Sequence, residues 1–348
     1  MKRKEQMNKF LSEAFSICLL TAFCPVVFSG ETEPIDLELW QRKREVIQRD
    51  WIQFLGPLAT VRELGTNYPS PDIEILEETQ EEKESDGFLR RKIRYESEKG
   101  KRTLAYLLIP KNITKPVPGV VVFHSTTNES YRQGAGVENV TEKSFGYHLA
   151  KRGYVTICPQ NYLWDDENPK ADIRRLTREF LDRNPTSKGM ARMILDGQVA
   201  VDILASLPEV DAKRIGCVGH SLGAKETLYL PAFDDRIVCS ISSEGGIGIE
   251  QSNWEADWYL GSEVKKSDFP LNHREIVSLI APRPFLLLGG DASDGEKSRP
   301  YVEAAKKIFR LYGAENNIEL FNHKKGHAVP PEAENRMYDW FEKYLPIN

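Results

Sequence analysis

Cysteine is scarce in this 348-residue chain: two of its five cysteines, Cys18 and Cys24, fall in the first thirty residues, leaving Cys158, Cys217 and Cys239 beyond them. Three thiols in or beside β-like apolar runs make no disulfide framework, so they read as small buried hydrophobes. Charge of one sign is also lacking, with 47 Lys and Arg against 52 Asp and Glu, a net charge of −5 and a pI near 5.8. Without a basic stripe, nucleic acid is excluded as an expected partner. No internal repeat and no low-complexity segment breaks the chain. What remains is an ordinary globular composition, 40% hydrophobic and 28% charged, with ample length for a sizeable core.

Long apolar runs are absent too. Residues 14–28, "AFSICLLTAFCPVVF", follow the basic "MKRKEQMNKF" and precede "SG". A basic start, a short apolar run and small residues at Val27 and Ser29 predict a signal peptide over residues 1–29. The run is too short, and too interrupted by Pro25, to favour a spanning helix. The expected location is therefore secreted or periplasmic, with no stable membrane partner after cleavage.

Residues 30–101 open with an amphipathic pattern over 35–56 that ends at Gly56, then give short strand-like runs with a turn at "SEKGKR". From residue 102 to 348 the pattern alternates. "GVVVFHS", "YVTICPQ", "RIGCVGH", "RIVCSISSEGG", "RPFLLLGGD" and "NIELFNH" read as buried strands, each followed by a helix-like stretch. That alternation predicts an α/β fold, a mostly parallel twisted sheet with helices on both faces, after an antiparallel start. Residues 161–189 and 252–272 are too long for simple connections and should emerge on the carboxyl edge of the sheet, where ligands bind.

In "RIGCVGHSLGAKE" a strand meets Gly219, His220, Ser221, Leu222 and Gly223, and a helix follows. Strand, Gly-x-Ser-x-Gly and helix together describe a nucleophile elbow, with the Ser221 hydroxyl lifted above the sheet. A serine hydroxyl needs a base to take its proton. His327 lies on the loop after the last strand and is the expected base, with His323 as runner-up. The four-residue spacing of these two could suggest a metal site, but Gly326 and the loop setting spoil a shared helical face, so none is expected. The imidazole needs a carboxylate to fix its tautomer. Asp294 in "GGDASDGEK" is preferred; Asp291 in the same turn and Glu244 in "SSEGG" stay open. The Leu222 amide and one from Ser125 or Thr126 are the oxyanion donors expected. His148 and His124 read as structural, and His273 as a helix-surface residue. Trp254, Trp258 and Trp164 lie in the two long insertions, where they either contact substrate or pack the insertions onto the body.

The stretches "GVVVFHSTT", "GHSLGAKE", "APRPFLLLGGDASD" and "KKGHAVPPEAENRMYDWFEKYL", in that order, resemble the α/β-hydrolase superfamily and, within it, the dienelactone hydrolase and acetyl xylan esterase-like branch. The resemblance implies a secreted serine carboxylic-ester hydrolase that works without cofactor through an acyl-enzyme, with carbohydrate-linked acetyl or uronoyl esters as the sharpened substrate expectation. Dienelactone hydrolases proper use a cysteine nucleophile, so Ser221 points to ordinary esters. "HSTT" stands where many lipases have "HGGG", which makes a lipase less expected. Two other readings carry less: a prolyl oligopeptidase-like serine peptidase, whose large propeller the chain does not show, and a hydrolase-like binding protein without catalysis.

Overall fold

The structure is a computed structural model that describes residues 35–78, 87–165 and 172–347. The signal-peptide expectation for residues 1–29 lies outside the described residues. Among the described residues no helix is long and apolar enough to cross a membrane.

The expected helix over residues 35–56 is α1 (Leu37–Leu55), capped by the Asp36 carboxylate on the Leu39 amide and ended at Gly56. Its Trp40, Trp51 and Leu55 side chains are buried. An antiparallel start follows, made of β1 (Ile73–Glu78), β2 (Phe88–Glu98) and β3 (Lys101–Pro110). The parallel part consists of β4 (Val117–Phe123), β5 (Val155–Pro159), β6 (Val210–His220), β7 (Ile237–Ser243), β8 (Phe285–Gly289) and β9 (Ile318–Asn322). These nine strands form one sheet in the order β1-β2-β3-β5-β4-β6-β7-β8-β9, antiparallel up to the β3–β5 pair and parallel beyond it.

Helices cover both faces of this sheet, which is why β4, β5 and β8 are buried at every position rather than at alternate ones. Val120 and Val122 of β4 join a cluster with α3 (Phe145–Lys151) and α9 (Pro331–Tyr344) through Phe145, Leu149, Met337 and Phe341. Val121 and Phe123 point the other way, against Ala200 and Leu204 of α5 (Gly189–Ser206). A third cluster joins α1 to α5, α6 (Leu222–Phe233), α7 (His273–Leu279) and α8 (Arg299–Leu311). Cys158, Cys217 and Cys239 are free and buried.

One sequence expectation needs correcting. His273 is not a surface residue of its helix but fully buried, with Nε2 on the Tyr229 hydroxyl and Nδ1 on the Ile247 carbonyl, both at 2.7 Å. Trp254 packs edge-on against its ring at 4.5 Å. Two hydrogen bonds to one ring offset the burial of its polar atoms.

Strand order gives the site its place. Because β4 to β9 run the same way, the turns after β4, β6, β7, β8 and β9 all open on one edge. The long insertions open there too; the first contains α4 (Ile173–Arg183).

Candidate active site

β6 ends at His220 and α6 begins at Leu222, so Ser221 alone makes the corner. Its φ of 60° and ψ of −111° lie in a region that non-glycine residues rarely occupy. The conformation is held by a 2.8 Å bond from the Ser221 amide to the Ser243 carbonyl of β7. It also requires two glycines. A Cβ on Gly219 would collide with the Gly223 backbone, and a Cβ on Gly223 with the Phe123 carbonyl. Leu222 is the first residue of α6, and its amide has no acceptor within the helix.

His327 follows Gly326, whose φ is 69° and whose amide donates to the Gly290 carbonyl at 2.7 Å. The imidazole is half-exposed, and its Nδ1 lies 3.3 Å from Oε2 of Glu244. With Nδ1–H donating to that carboxylate, Nε2 keeps the lone pair. Glu244 follows β7 with a φ of 56°, and its side chain is wholly buried. Its Oε1 accepts the Gly290 amide and its Oε2 the Ser293 amide, the latter at 2.6 Å.

The preference for Asp294 as the carboxylate facing the histidine is therefore corrected. Asp294 is fully buried and turned to other donors: the Gly246 amide at 2.7 Å, the Ile247 amide at 2.8 Å and the Ser298 hydroxyl at 2.8 Å. Burial pushes its carboxyl above the ordinary range, against the lowering effect of these three donors. Asp291 binds its surroundings, accepting from the Glu296 amide and the Asn322 side chain. His323 also stands apart, its Nδ1 accepting the Lys325 amide at 3.1 Å while burial lowers its pKa.

A second histidine supports the first. The His220 ring packs 4.6 Å from the His327 ring, with Nδ1 3.0 Å from the Ser243 hydroxyl. Burial, with His327 nearby, holds the His220 pKa well below its ordinary value, so it stays neutral.

On the oxyanion side, Ser125 donates its amide to Gln133 Oε1 at 3.2 Å. Of the two expected donors in this loop, the Ser125 amide is therefore already engaged. His124 braces the loop. Its Nδ1 lies 2.7 Å from the Ser125 carbonyl, and its Nε2 receives the Asn161 amide at 3.1 Å. Burial lowers its pKa to about 4, so it too is neutral.

The structure brings Trp254 and Trp164 inside rather than over the site. The Trp254 indole is fully buried and donates to the Gly246 carbonyl at 2.7 Å. Trp164 is buried edge-on to His124 at 4.7 Å, and Trp258 is half-buried against the same core as Trp254. Lys225 was not expected from the sequence. It is buried under Trp254, donates to the Gly245 carbonyl at 2.6 Å and to the Ser252 hydroxyl at 2.7 Å, and burial lowers its pKa to about 7. Its place one turn into the elbow helix was the available signal. Among the described residues no group of three or more His, Cys, Asp or Glu is arranged to hold a metal ion.

Sheet order, elbow and a post-strand histidine on a buried carboxylate define an α/β-hydrolase. Residues 104–254 match the dienelactone hydrolase family. The chain is 31% identical over 257 residues to "Putative hydrolase YtaP" of Bacillus subtilis (strain 168), covering 69% of this chain and 83% of that protein. The chain belongs to the dienelactone hydrolase family. Among solved structures, a glucuronoyl esterase from Solibacter usitatus superposes with a TM-score of 0.66 at 17% identity, covering 90% of this chain and 95% of that one. A "putative acetyl xylan esterase" from Bacteroides fragilis superposes with a TM-score of 0.64 at 15% identity, covering 92% of this chain and 86% of that one.

Proposed function

We propose that the protein is an exported serine esterase that hydrolyses a carboxylic ester attached to carbohydrate. The observation that carries this reading is the pairing of His327 with the buried Glu244, on the same sheet edge as the strained Ser221. In this mechanism Ser221 Oγ attacks the ester carbonyl while His327 Nε2 takes its proton. The Leu222 amide and the Thr126 amide hold the oxyanion, and Glu244 stabilises the imidazolium. His327 then returns the proton to the leaving alcohol. Water, activated by the same imidazole, releases the acid and frees Ser221. Carbohydrate as the substrate class is supported by the fold shared with a glucuronoyl esterase and with the protein described as a "putative acetyl xylan esterase". Export is supported by the basic and apolar residues at the amino terminus. A panel of acetylated xylan, glucuronoyl esters, short acyl esters and peptides tests the reading. Turnover of the carbohydrate esters above simple acyl esters is expected, and turnover confined to peptides would overturn it.

A further inference from the structure

Two cavities, of about 370 Å³ and about 260 Å³, meet at Gln160, Trp164 and Asp165. They lie where the end of β5 faces the start of the antiparallel β3: Gln160 donates its amide to the Leu104 carbonyl, and Thr103 lines the larger cavity. Together they form one trough along the sheet edge that carries Ser221.

The inner end of this trough reaches the catalytic loops. Asn128 and Ser130 of the oxyanion loop line the smaller cavity, and the Ser130 hydroxyl lies 3.2 Å from His124 Nε2. Asn161 lines the larger one, and its side chain donates to Glu226 of α6 at 2.9 Å, one turn beyond Ser221. β5 and β6 are separated only by β4. At the usual inter-strand spacing the trough therefore starts roughly 10 Å from the nucleophile.

The lining is polar, and its guanidinium charges are already answered, leaving Lys101 at the outer end as the exception. Arg175 binds Asp165, Asp172 and Glu179, and Arg192 binds Asp196 and Glu98. Arg102 pairs with Glu74 at 3.1 Å. An anionic ligand would have to displace these carboxylates. An apolar ligand would strip water from guanidinium and amide groups without replacing its hydrogen bonds. Gln160 lines both cavities, and its side-chain amide offers a donor and an acceptor together. A ligand whose hydroxyls both donate and accept suits such a wall.

We propose that this trough binds the saccharide portion of the ester, and that the saccharide is neutral. The proposal rests on the esterase reading above and deepens it. Gln160 and Arg102 are the residues to test, because Gln160 lines both cavities and Arg102 is mostly exposed at the outer end.

Calorimetric titration of the full chain with xylohexaose, mannohexaose, cellohexaose and hexagalacturonate measures binding apart from catalysis. Saturable binding of a neutral hexasaccharide is expected, weakened roughly fivefold in Gln160→Ala and in Arg102→Ala for the loss of one hydrogen bond. No binding of any neutral sugar, tighter binding of hexagalacturonate, or no weakening in either variant would overturn the proposal. In a second arm, the acetylated form of the bound hexasaccharide is compared with p-nitrophenyl acetate. The ratio of their kcat/KM values should fall roughly fivefold in Gln160→Ala; an unchanged ratio contradicts the trough. If the wild type hydrolyses neither ester, the esterase reading fails, and the titration still decides whether the trough binds sugar.

Discussion

Glu244 and Asp294 each hold the other's turn. Glu244, at the end of β7, accepts the amides of Gly290 and Ser293 from the turn after β8. Asp294, in that second turn, accepts the amides of Gly246 and Ile247 from the turn after β7. Only Glu244 also reaches His327. The two carboxylates are therefore predicted to fail differently. Glu244→Gln should lower kcat on p-nitrophenyl acetate by roughly 10³–10⁴, as amide replacement of a triad acid does. Asp294→Asn should keep activity within about tenfold, yet lose about 1–3 kcal/mol of stability, because an amide nitrogen would then face a buried N–H. Steady-state kinetics and urea unfolding of the two variants check this. A larger loss of activity in Asp294→Asn would reverse the assignment.

The elbow gives a second prediction. A methyl group at Gly223 would press on the Phe123 carbonyl of β4, which is fixed in the sheet. Gly223→Ala should cost about 1–3 kcal/mol, as overpacking of a filled site does. Its urea midpoint should fall, with an unchanged slope if unfolding stays two-state.

Acid sensitivity is predicted from His273. Burial lowers its pKa to about 3, while the unfolded chain would titrate near 6.5. The unfolded state thus binds the proton first. The stability His273 contributes is fully present above about pH 6.5 and is lost as pH falls toward about 3. At pH 5 the loss is about 2 kcal/mol. Urea unfolding at pH 7 and pH 5 should show wild type losing about that much more than His273→Gln. Equal losses would mean that His273 accepts a proton in the folded protein.

Much of this site was legible in the sequence, for a physical reason. Buried parallel strands are rich in apolar residues, so "RIGCVGH" marks where Ser221 emerges, while the half-buried edge strand "NIELFN" keeps enough apolar residues to mark the loop that carries His327. The choice between Glu244 and Asp294 was not legible. Both follow a strand end, and what separates them is which amides each captures some fifty residues away in the chain. The two readings left open for the tryptophans could not be separated for a related reason: the sequence places Trp254 in an insertion on the carboxyl edge of the sheet, but only packing shows its indole turned inward to the Gly246 carbonyl. His273 was misread because its helix buries the face on which a surface histidine would be exposed.

The central claim is that Ser221 is the nucleophile of an ester hydrolase. The release of p-nitrophenolate from p-nitrophenyl acetate by wild type and by Ser221→Ala tests it most directly. The wild type should turn over roughly 10³-fold or more faster than the variant, since removing a catalytic serine leaves only residual rate from binding and oxyanion contacts. Equal rates for the two proteins would contradict it.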